Sequence, residues 1–341
     1  MSTIVLVTGA AGFMGSHLVD SLSADGIPVR ALILPGSDVS NLEASRAEII
    51  TGDIRDPACL GTAMRDVAVV YHLAAIPRHD ANICDVEYHA VNVEGTRNIL
   101  ESAAGAGVRR VVFTGTIEAV GLSRDGRPLT EDTPQEPRNI YGRTKLEAEN
   151  LVRAFNLRQG VETVVVRPPM TYGPREMLLL TRIFKLIQKG FYPLVGSGQA
   201  LAEFCYVKNQ VRGIRLAAER GRPGEVYFIS DERPYAFEEI IDAIAAEMGV
   251  RLWKPHIPVP LARAMGLTLE LLAKVLRFYP FIIPQTGRPP FSRKSVAWLS
   301  ESRLFVDISK ARRELGYAPP YDLRQGIRET VKWYREHGLL R

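Results

Sequence analysis

The chain is poor in the residues that cross-link small domains or bind metal ions. Its 341 residues include only three cysteines and six histidines. The cysteines are odd in number, far apart and not grouped at metal-ligand spacing, at Cys59, Cys84 and Cys205. We therefore expect no disulfide framework, zinc site or other metal centre, and we favour a reducing, cytoplasmic compartment.

Long hydrophobic runs and an excess of one charge are missing too. No window reaches the roughly 18 uninterrupted apolar residues that a membrane-spanning helix needs. The nearest candidate, residues 261–283, contains four charged side chains and has leucines at helical spacing, which predicts an amphipathic helix. The formal net charge of +5 is small and scattered, so no nucleic-acid-binding face is indicated.

The first half of the chain alternates two patterns regularly. From Ile4 to Val166, short β-branched runs such as IVLV and VAVVYH alternate with longer segments of helical periodicity. Short buried strands separated by helices indicate right-handed βαβ units and a parallel sheet. We therefore predict a doubly wound α/β fold.

A glycine-rich turn follows the first strand. The segment TGAAGFMG, residues 8–15, lies between the strand IVLV and the helical segment SHLVDSL. Gly9, Gly12 and Gly15 tighten the turn, let backbone N–H groups approach a pyrophosphate and let the helix pack on the sheet. A plain tight turn is the alternative, but the flanking strand and helix favour a dinucleotide bound to a Rossmann fold.

The alternation stops after Arg167, where proline and glycine interrupt the chain repeatedly. We divide the chain into residues 1–167, a Rossmann domain, and residues 168–341, a smaller, irregular substrate-binding lobe with some segments that return to the Rossmann domain. Helices are expected in this lobe at residues 177–189, 237–248 and 322–337.

Further signals lie at later strand ends. Asp53 closes the third strand, where it can accept a hydrogen bond from an adenine amino group; a solvated carboxylate is the alternative. His72-Leu73-Ala74-Ala75 ends the fourth strand, and its small residues let a nicotinamide ribose lie against the backbone. His72 itself is interpreted as a packed structural histidine rather than a base.

The strongest signal is Tyr141-Gly-Arg-Thr-Lys145, preceded by Thr116 at the end of the strand RRVVFTG. Tyr141 and Lys145 point the same way on a helix. A phenol, with an ordinary pKa near 10, exchanges protons at neutral pH only where positive charge favours its phenolate, and Lys145 supplies that charge. Thr116 can hydrogen-bond the same substrate oxygen. We predict Thr116, Tyr141 and Lys145 as the catalytic residues.

The turn, the strand ends and this helix together make up the predicted cofactor site. Its residues are Gly9, Gly12, Phe13, Met14, Gly15, Asp53, Ile54, Leu73, Ala74, Ala75, Thr114, Tyr141, Lys145 and Pro168.

At these residues the chain resembles the extended short-chain dehydrogenase/reductase superfamily. The resemblance covers nearly the whole chain and rests on TGAAGFMG, GDIRD, HLAA, VNVEGTRNIL, VVFTGTIEAVG, YGRTK and RPPMTYGP, in that order. It implies a cofactor-binding sheet, hydride transfer at a secondary alcohol or ketone, and a homodimer formed through the helices around residues 95–105 and 141–151.

Departures from the superfamily motifs indicate the branch. Nucleotide-sugar dehydratases carry Thr-Asp-Glu where this chain has Thr116-Ile117-Glu118, so the acid that protonates the departing hydroxyl is missing. Sugar-nucleotide epimerases have Asn at the position of Met170 and Arg at that of Ala202, and neither replacement can bond a diphosphate. Dehydration and sugar-nucleotide binding are therefore disfavoured.

Other segments are similar to the 3β-hydroxysteroid and sterol-4-carboxylate 3-dehydrogenase branch, among them TGTIEAVG, residues 224–231 and the C-terminal SRLFVDISKARRELGYAPPYDLRQGIRETVKWY. Dihydroflavonol-reductase-like proteins are the next most similar group, and that similarity rests on the segment VRALILPGSDVSNLE. Those relatives often carry Arg at the position of Leu34, where it meets the 2′-phosphate of NADP. Because no cation replaces that Arg, NAD is favoured. NADP is the alternative, with Arg30 and Ser37 as partners of its 2′-phosphate.

The resemblance implies an oxidoreductase that interconverts a secondary alcohol and its ketone on a hydrophobic or ring substrate, with Tyr141 as acid and base. The alternative is a nucleotide-sugar epimerase that oxidises its substrate transiently, with Arg175, Arg182 and Lys185 in place of the missing diphosphate contacts. The intact catalytic set weighs against a non-catalytic NAD-sensing protein.

Two questions about the substrate are left undecided by the sequence, namely its identity and the role of residues 261–290. Substrate identity is expected to depend on Arg78, Glu118, Met170, Met177 and Tyr206. Residues 261–290 either contact a membrane peripherally or cap the substrate pocket, and the second interpretation is favoured because the pattern is neither rich in aromatic residues nor strongly cationic.

Overall fold

The structure, a computed structural model, describes residues 4–77, 82–123, 126–177, 180–276, 292–301 and 303–340. The strands of the first half are β1 (Ile4–Thr8), β2 (Val29–Ile33), β3 (Glu48–Thr51), β4 (Val67–His72), β5 (Arg110–Thr114) and β6 (Glu162–Arg167). Its helices are α1 (Phe13–Ala24), α2 (Pro57–Ala63), α3 (Asp85–His89), α4 (Gly95–Gly105) and α5 (Ile140–Phe155). A π-helical turn, Ala90–Glu94, joins α3 to α4.

The second half has shorter strands and more irregular connections. Its strands are β7 (Met170–Tyr172), β8 (Leu194–Val195), β9 (Leu201–Ala202), β10 (Phe204–Tyr206), β11 (Val226–Phe228), β12 (Tyr235–Ala236), β13 (His256–Ile257) and β14 (Arg303–Leu304). Its helices are α6 (Leu180–Gln188), α7 (Val207–Arg220), α8 (Phe237–Met248), α9 (Val259–Leu276), α10 (Arg293–Glu301), α11 (Ser309–Leu315) and α12 (Leu323–Glu336). The three helices expected here correspond to α6, α8 and α12.

The main sheet has the order β3-β2-β1-β4-β5-β6-β11, and all of its described pairings are parallel. The order reverses between β1 and β4, and ligands of doubly wound sheets bind in the crevice at such a point. The prediction of a doubly wound α/β fold is confirmed. Because β11 comes from the second half and pairs with β6, the chain returns to the sheet after leaving it.

Helices cover both faces of the sheet, whose central strands are buried along most of their length, whereas the edge strand β3 is largely exposed. On one face α1, α7 and α11 bury a cluster that includes Leu18, Ile214 and Ala311. On the other face α2, α4 and α5 bury a cluster that includes Ile99 and Val152. Since α7 and α11 follow residue 167, the sheet layer is built from both halves of the chain.

The remaining segments form a separate core, rich in aromatic residues. It lies among α6, α8, α12 and the short strands around them, and includes Phe184, Tyr206, Phe237 and Tyr334. This arrangement agrees with a smaller, irregular lobe, and the division of the chain at residue 167 stays a prediction.

Helix α9 covers the first part of the predicted amphipathic segment, and residues 277–290 lie outside the described residues. It buries Ala262, while large apolar side chains of its other faces are exposed, namely Leu261, Met265, Leu267, Leu271 and Leu272. In the part of the chain that the structure describes, no helix has the length and apolarity to span a bilayer.

Candidate active site

The glycine turn after β1 is too tight for any other residue at two positions. Gly9 has φ +67°, and a Cβ there would lie 2.8 Å from the backbone N of Ala74. A Cβ on Gly15 would lie 2.1 Å from the carbonyl O of Gly9. Both positions therefore need glycine. The turn brings β1, the segment after β4 and the start of α1 into backbone contact.

The first turn of α1 offers backbone donors beside this turn. The helix begins at Phe13 after Gly12, whose backbone is extended. The N–H groups of Phe13, Met14 and Gly15 have no acceptor within the helix, and no acidic residue lies in its first turn. With the positive end of the helix dipole, these groups suit a pyrophosphate. The predicted residues of this segment thus lie together at one end of the helix.

The carboxylate of Asp53 is largely engaged by its neighbour. Asp53 Oδ2 lies 2.6 Å from Nη2 of Arg55, and Oδ1 accepts from the backbone N–H of Arg55. These hydrogen bonds hold the pKa of Asp53 below its ordinary value. Ile54 packs tightly on Gly95. A carboxylate has further lone pairs for an adenine amino group, so the predicted contact of Asp53 with adenine stays a prediction.

His72 is held on both ring nitrogens in the core. Its Nδ1 lies 2.8 Å from Thr8 Oγ1, which accepts from the backbone N–H of Ala74, and its Nε2 lies 3.0 Å from Thr96 Oγ1. Because Thr96 donates its own hydroxyl to Asn92 O, it accepts from Nε2–H of a neutral imidazole. Burial lowers the pKa of His72 to about 3. The geometry agrees with a structural histidine and gives it no role as a base.

A buried hydroxyl without a partner marks the end of β5. Thr114 is 5% exposed, and its Oγ1 has no hydrogen-bond partner among the described residues. Leaving such a group unpaired is costly, so the atom suits a polar ligand such as a ribose. Residues 73–75 are half-buried beside it after β4, and Pro168 is buried after β6. This hydroxyl and the glycine turn fit a nicotinamide dinucleotide.

Thr116 lies in the turn after β5 with its hydroxyl oriented by the backbone. Its Oγ1 accepts from the N–H of Glu118 at 3.2 Å. Ile117, at the position of the acid of dehydratases, is 4% exposed, and its N–H donates to Pro168 O. Because Thr116 Oγ1 already accepts one hydrogen bond, its proton can be donated to another oxygen.

Helix α5 carries the predicted Tyr141 and Lys145. Asn139 caps the helix by accepting from the N–H of Gly142 at 2.7 Å. Tyr141 is half-buried, whereas Lys145 is 2% exposed with its Nζ 4.0 Å from the ring centroid of Phe113. Burial lowers the pKa of Lys145 to about 7, so its ammonium is easily neutralised.

A buried ion pair lies one turn beyond Lys145. Arg167 Nη2 donates to Glu149 Oε1 at 2.6 Å and Nε donates to Oε2 at 3.0 Å, and neither side chain is exposed. Glu149 also opposes the lowering of the pKa of Lys145. This pair was not predicted from the sequence, although Glu149 follows Lys145 by one helical turn and so shares its buried face.

A second missed residue joins α5 to the π-helical turn. Asn92 is 1% exposed; its Nδ2 donates to Thr144 Oγ1 at 3.1 Å and its Oδ1 accepts from the N–H of Ile76 at 2.8 Å. Thr144 precedes Lys145, so this amide ties α5 to the segment after β4. The motif VNVEGT contains Asn92, and only its regular position in that motif could have suggested a role.

The residues expected to select the substrate are not all in one place. Glu118 and Met170 are half-buried near Thr116 and Pro168 in the chain, and Met177 is 48% exposed. Tyr206 is instead fully buried in the lobe core, where its hydroxyl donates to Glu329 Oε2 at 2.5 Å. Arg78 lies outside the described residues.

Of the three cations that could replace the missing diphosphate contacts, Arg175 is paired with a carboxylate, whereas Arg182 and Lys185 are exposed. Arg175 Nη1 lies 2.8 Å from Asp20 Oδ2. Glu203, which stands in the motif after Ala202, is 3% exposed and accepts from Ser230 Oγ and from the N–H of Val306. Burial raises the pKa of Glu203 to about 7.

Comparison with known proteins identifies the family. Residues 5–230 match the model of the NAD dependent epimerase/dehydratase family. The chain belongs to this family. It is 35% identical to the 4-hydroxy-2-methyl-3-oxo-4-farnesyl-3,4-dihydroquinoline-1-oxide ketoreductase of Stigmatella aurantiaca, over 94% of this chain and 93% of that protein. It is 31% identical to the 3 beta-hydroxysteroid dehydrogenase/Delta 5→4-isomerase of Mycobacterium tuberculosis, over 97% and 90% of the two chains.

Solved structures agree with this family membership. The dTDP-glucose 4,6-dehydratase DesIV of Streptomyces venezuelae, solved with NAD and TYD bound, superposes with a TM-score of 0.76 and 28% identity, over 99% of both chains. The predicted membership of the extended short-chain dehydrogenase/reductases is confirmed. This member of the epimerase/dehydratase family is an oxidoreductase that acts on CH–OH groups. Among the described residues, no group of three His, Cys, Asp or Glu could hold a metal ion.

Proposed function

We propose that this family member interconverts a secondary alcohol and its ketone on a hydrophobic or ring substrate, with NAD(P) as the redox partner. The observation that carries the proposal is the contact between two segments that follow β5 in the chain. The turn with Thr116 contacts the first turn of α5, which carries Tyr141, through the carbonyl of Glu118 and the backbone of Gly142.

The chain's own residues account for the proton. In the oxidative direction Tyr141 takes the proton of the substrate hydroxyl, and Thr116 donates a hydrogen bond to the same oxygen as it becomes a carbonyl. Lys145, buried behind them, favours the phenolate of Tyr141 when it is charged. The nicotinamide, when bound, accepts the hydride from the carbinol carbon.

Two features support a lipophilic substrate over a nucleotide sugar. Ile117 and Met170 are apolar where sugar-nucleotide enzymes carry an acid and an amide, and Arg175 is paired with Asp20. The two curated relatives above are named for a farnesylated quinoline oxide and for a hydroxysteroid. We infer that the pocket selects an apolar ring system beside the reacting carbon.

The test is a screen with matched substrate classes. Purified protein with oxidised NAD or NADP is offered a 3β-hydroxysteroid, UDP-glucose and dTDP-glucose, and with NADH or NADPH it is offered an aryl ketone; both the thermal shift and the change in NAD(P)H absorbance are recorded. We expect turnover with the steroid or the aryl ketone and no shift with the sugars. A shift with UDP-glucose, together with its C4 epimer as product, would replace this proposal by the epimerase, which the similarity to a sugar-nucleotide enzyme favours.

We propose NAD rather than NADP. Arg30 is engaged, because its Nε donates to Glu48 and its Nη1 to two backbone carbonyls, one of them of Ala63. Leu34 is exposed and apolar, and Asp38, in the loop after it, adds a negative charge that repels a 2′-phosphate. We expect a lower Kd for NADH than for NADPH in fluorescence titration, and Leu34→Arg should narrow the difference. Equal values for wild type would contradict the assignment.

We also propose a homodimer through α4 and α5. Next to α5, Val86 on α3 is 76% exposed, and the adjacent Asp85 lies 3.9 Å from Arg143 of α5. An apolar side chain beside the predicted interface suits burial by a second copy. Sedimentation velocity should give a dimer for wild type and a monomer for Val86→Asp, and a monomeric wild type would refute the proposal.

A further inference from the structure

Glu118 contacts both candidate catalytic segments. Its backbone N–H donates to Thr116 Oγ1 at 3.2 Å, and its carboxylate Oε2 accepts from Asn139 Nδ2 at 2.6 Å. Asn139 in turn caps α5, because its Oδ1 accepts from the N–H of Gly142. Tyr141 lies between Asn139 and Gly142 in the chain. One half-buried carboxylate therefore links the turn that holds Thr116 to the helix end that carries Tyr141.

The two segments also touch at the backbone. A Cβ on Gly142 would lie 2.6 Å from the carbonyl O of Glu118 and 3.1 Å from Cβ of Pro137. No side chain fits there, so α5 starts in direct contact with the turn. The amide of Asn139 adds a polar contact at this point because it bonds both segments at once.

We propose that Asn139 and Glu118 are positioning residues that hold the hydroxyls of Thr116 and Tyr141 at the separation needed to share one substrate oxygen. The inference rests on the proposed function, since it assumes that the two hydroxyls meet at that oxygen. A misplacement of about 1 Å can cost roughly 100-fold in rate. The loss of the hydrogen bond between Asn139 and Glu118, called the bridge below, should therefore have a measurable effect on turnover.

The bridge requires a particular hydrogen-bonding group from each side chain. Asn139 must accept at one end, for the cap, and donate at the other, to Glu118. An aspartate in its place is as good a cap but sets two carboxylates against each other. Glu118 only has to accept, so its amide analogue still serves. Replacing both residues restores a donor and an acceptor with their direction reversed.

The test compares Asn139→Asp, Glu118→Gln and the double variant, with Gln159→Glu, at an exposed position after the C-terminal end of the same helix, as the control for added charge. Crystal structures with NAD give the separation of Thr116 Oγ1 and Tyr141 Oη, and turnover of the best substrate from the screen is measured across pH. We expect Asn139→Asp to change that separation and to lower kcat by about 30- to 100-fold at pH 8 with NAD affinity unchanged.

Two further results are expected from this set. The Asn139→Asp variant should regain activity relative to wild type as the pH falls, because one of the two facing carboxylates then takes a proton and can donate to the other. The double variant should recover most of the lost turnover, Glu118→Gln should lose less turnover than Asn139→Asp because its amide oxygen can still accept, and Gln159→Glu should stay near wild type.

Several outcomes would contradict the proposed positioning role of Asn139 and Glu118. Wild-type separation and turnover in Asn139→Asp would show that only the cap matters, and a double variant that folds but does not recover would exclude the bond itself. A Glu118→Gln variant that loses turnover with an unchanged separation would make Glu118 a group that acts on the substrate. If wild type turns over no probe, the proposed function fails, and an unchanged separation in Asn139→Asp then refutes the bridge by itself.

Discussion

The sheet layer and the C-terminal lobe stabilise their buried polar groups differently. Beneath the site, the buried charges of Arg167 and Glu149 are paired, and the neutral His72 is hydrogen-bonded on both sides. Around the lobe, the carboxylates of Glu203 and Asp231 are buried among neutral donors, and burial raises their pKa values to about 7 and about 6. The ion pair of the sheet layer thus keeps its charges, whereas the two carboxylates around the lobe, like Lys145 of the sheet layer, change protonation near neutral pH.

The largest effect is expected at Tyr141, the phenol that we propose as the acid and base. Tyr141→Phe removes the proposed acid and base, so turnover should fall by about 1,000- to 10,000-fold while the Kd for NADH changes little. Tyr235→Phe, which removes a hydroxyl bonded to Asp231 in the other region, is the matched control and should keep turnover. Steady-state kinetics and fluorescence titration provide the two readouts, and wild-type-like turnover in Tyr141→Phe would refute the assignment.

The paired charges of the sheet layer should matter next. Arg167→Met leaves the buried carboxylate of Glu149 without its ion-pair partner and with the amide of Gln135 as a remaining donor, so the free energy of unfolding should fall by about 3–5 kcal/mol. The exposed pair of Lys332 and Glu336 is the comparison, since Lys332→Gln should leave the denaturant midpoint unchanged. Urea unfolding of both variants measures the difference. Equal losses would mean that burial of the pair makes no contribution.

The carboxylates around the lobe should show a smaller effect with a defined sign. Between its ordinary pKa of 4.5 and its folded value of about 7, Glu203 keeps a proton that the unfolded chain has lost, so stability falls as pH rises through this window. Glu203→Gln cannot titrate, and its amide can still bond both Ser230 and Val306. It should therefore raise the free energy of unfolding at pH 8 by about 1–2 kcal/mol and flatten the pH dependence. An unchanged slope in urea unfolding from pH 5 to 8 would contradict this account.

The smallest effect on stability is expected at α9. Leu261→Glu combined with Leu271→Glu alters only exposed side chains, so the unfolding midpoint should not move. We propose that this face covers the substrate pocket rather than a membrane, so co-sedimentation with liposomes that contain anionic lipid should be negligible for wild type and variant alike. Strong co-sedimentation of wild type that the variant loses would establish the membrane contact instead.

The parts of the site that follow one local segment could be predicted from the sequence. The glycine turn, the end of β4 and the helix with Tyr141 and Lys145 each lie within a few residues, and strand and helix periodicity orient them. The parts that join distant segments could not. Asn139 and Glu118 are 21 residues apart, Glu149 and Arg167 are 18 apart, and Asn92 and Thr144 are 52 apart. The sequence around one member of a pair does not indicate which distant residue it bonds.

Two expectations about side-chain surroundings changed for the same reason. Tyr206 was expected at the substrate, but β10 directs it into the lobe core, where Glu329 from α12 accepts its hydroxyl. Arg30 was an open partner for a 2′-phosphate, but Glu48 on the neighbouring strand engages it. Sequence position fixes which strand carries a residue, whereas the partner depends on which elements pack beside that strand.

By itself, the sequence determined the family, the parallel sheet, the glycine turn and the spacing of tyrosine and lysine, because each depends on chain-local periodicity and on the steric demands of single residues. The tertiary structure alone decided which polar groups are paired, which are buried without a charge partner and which hydroxyl is left open for a ligand. Those properties depend on distances between segments far apart in the chain, and hydrogen bonds form only when packing brings both partners within about 3 Å.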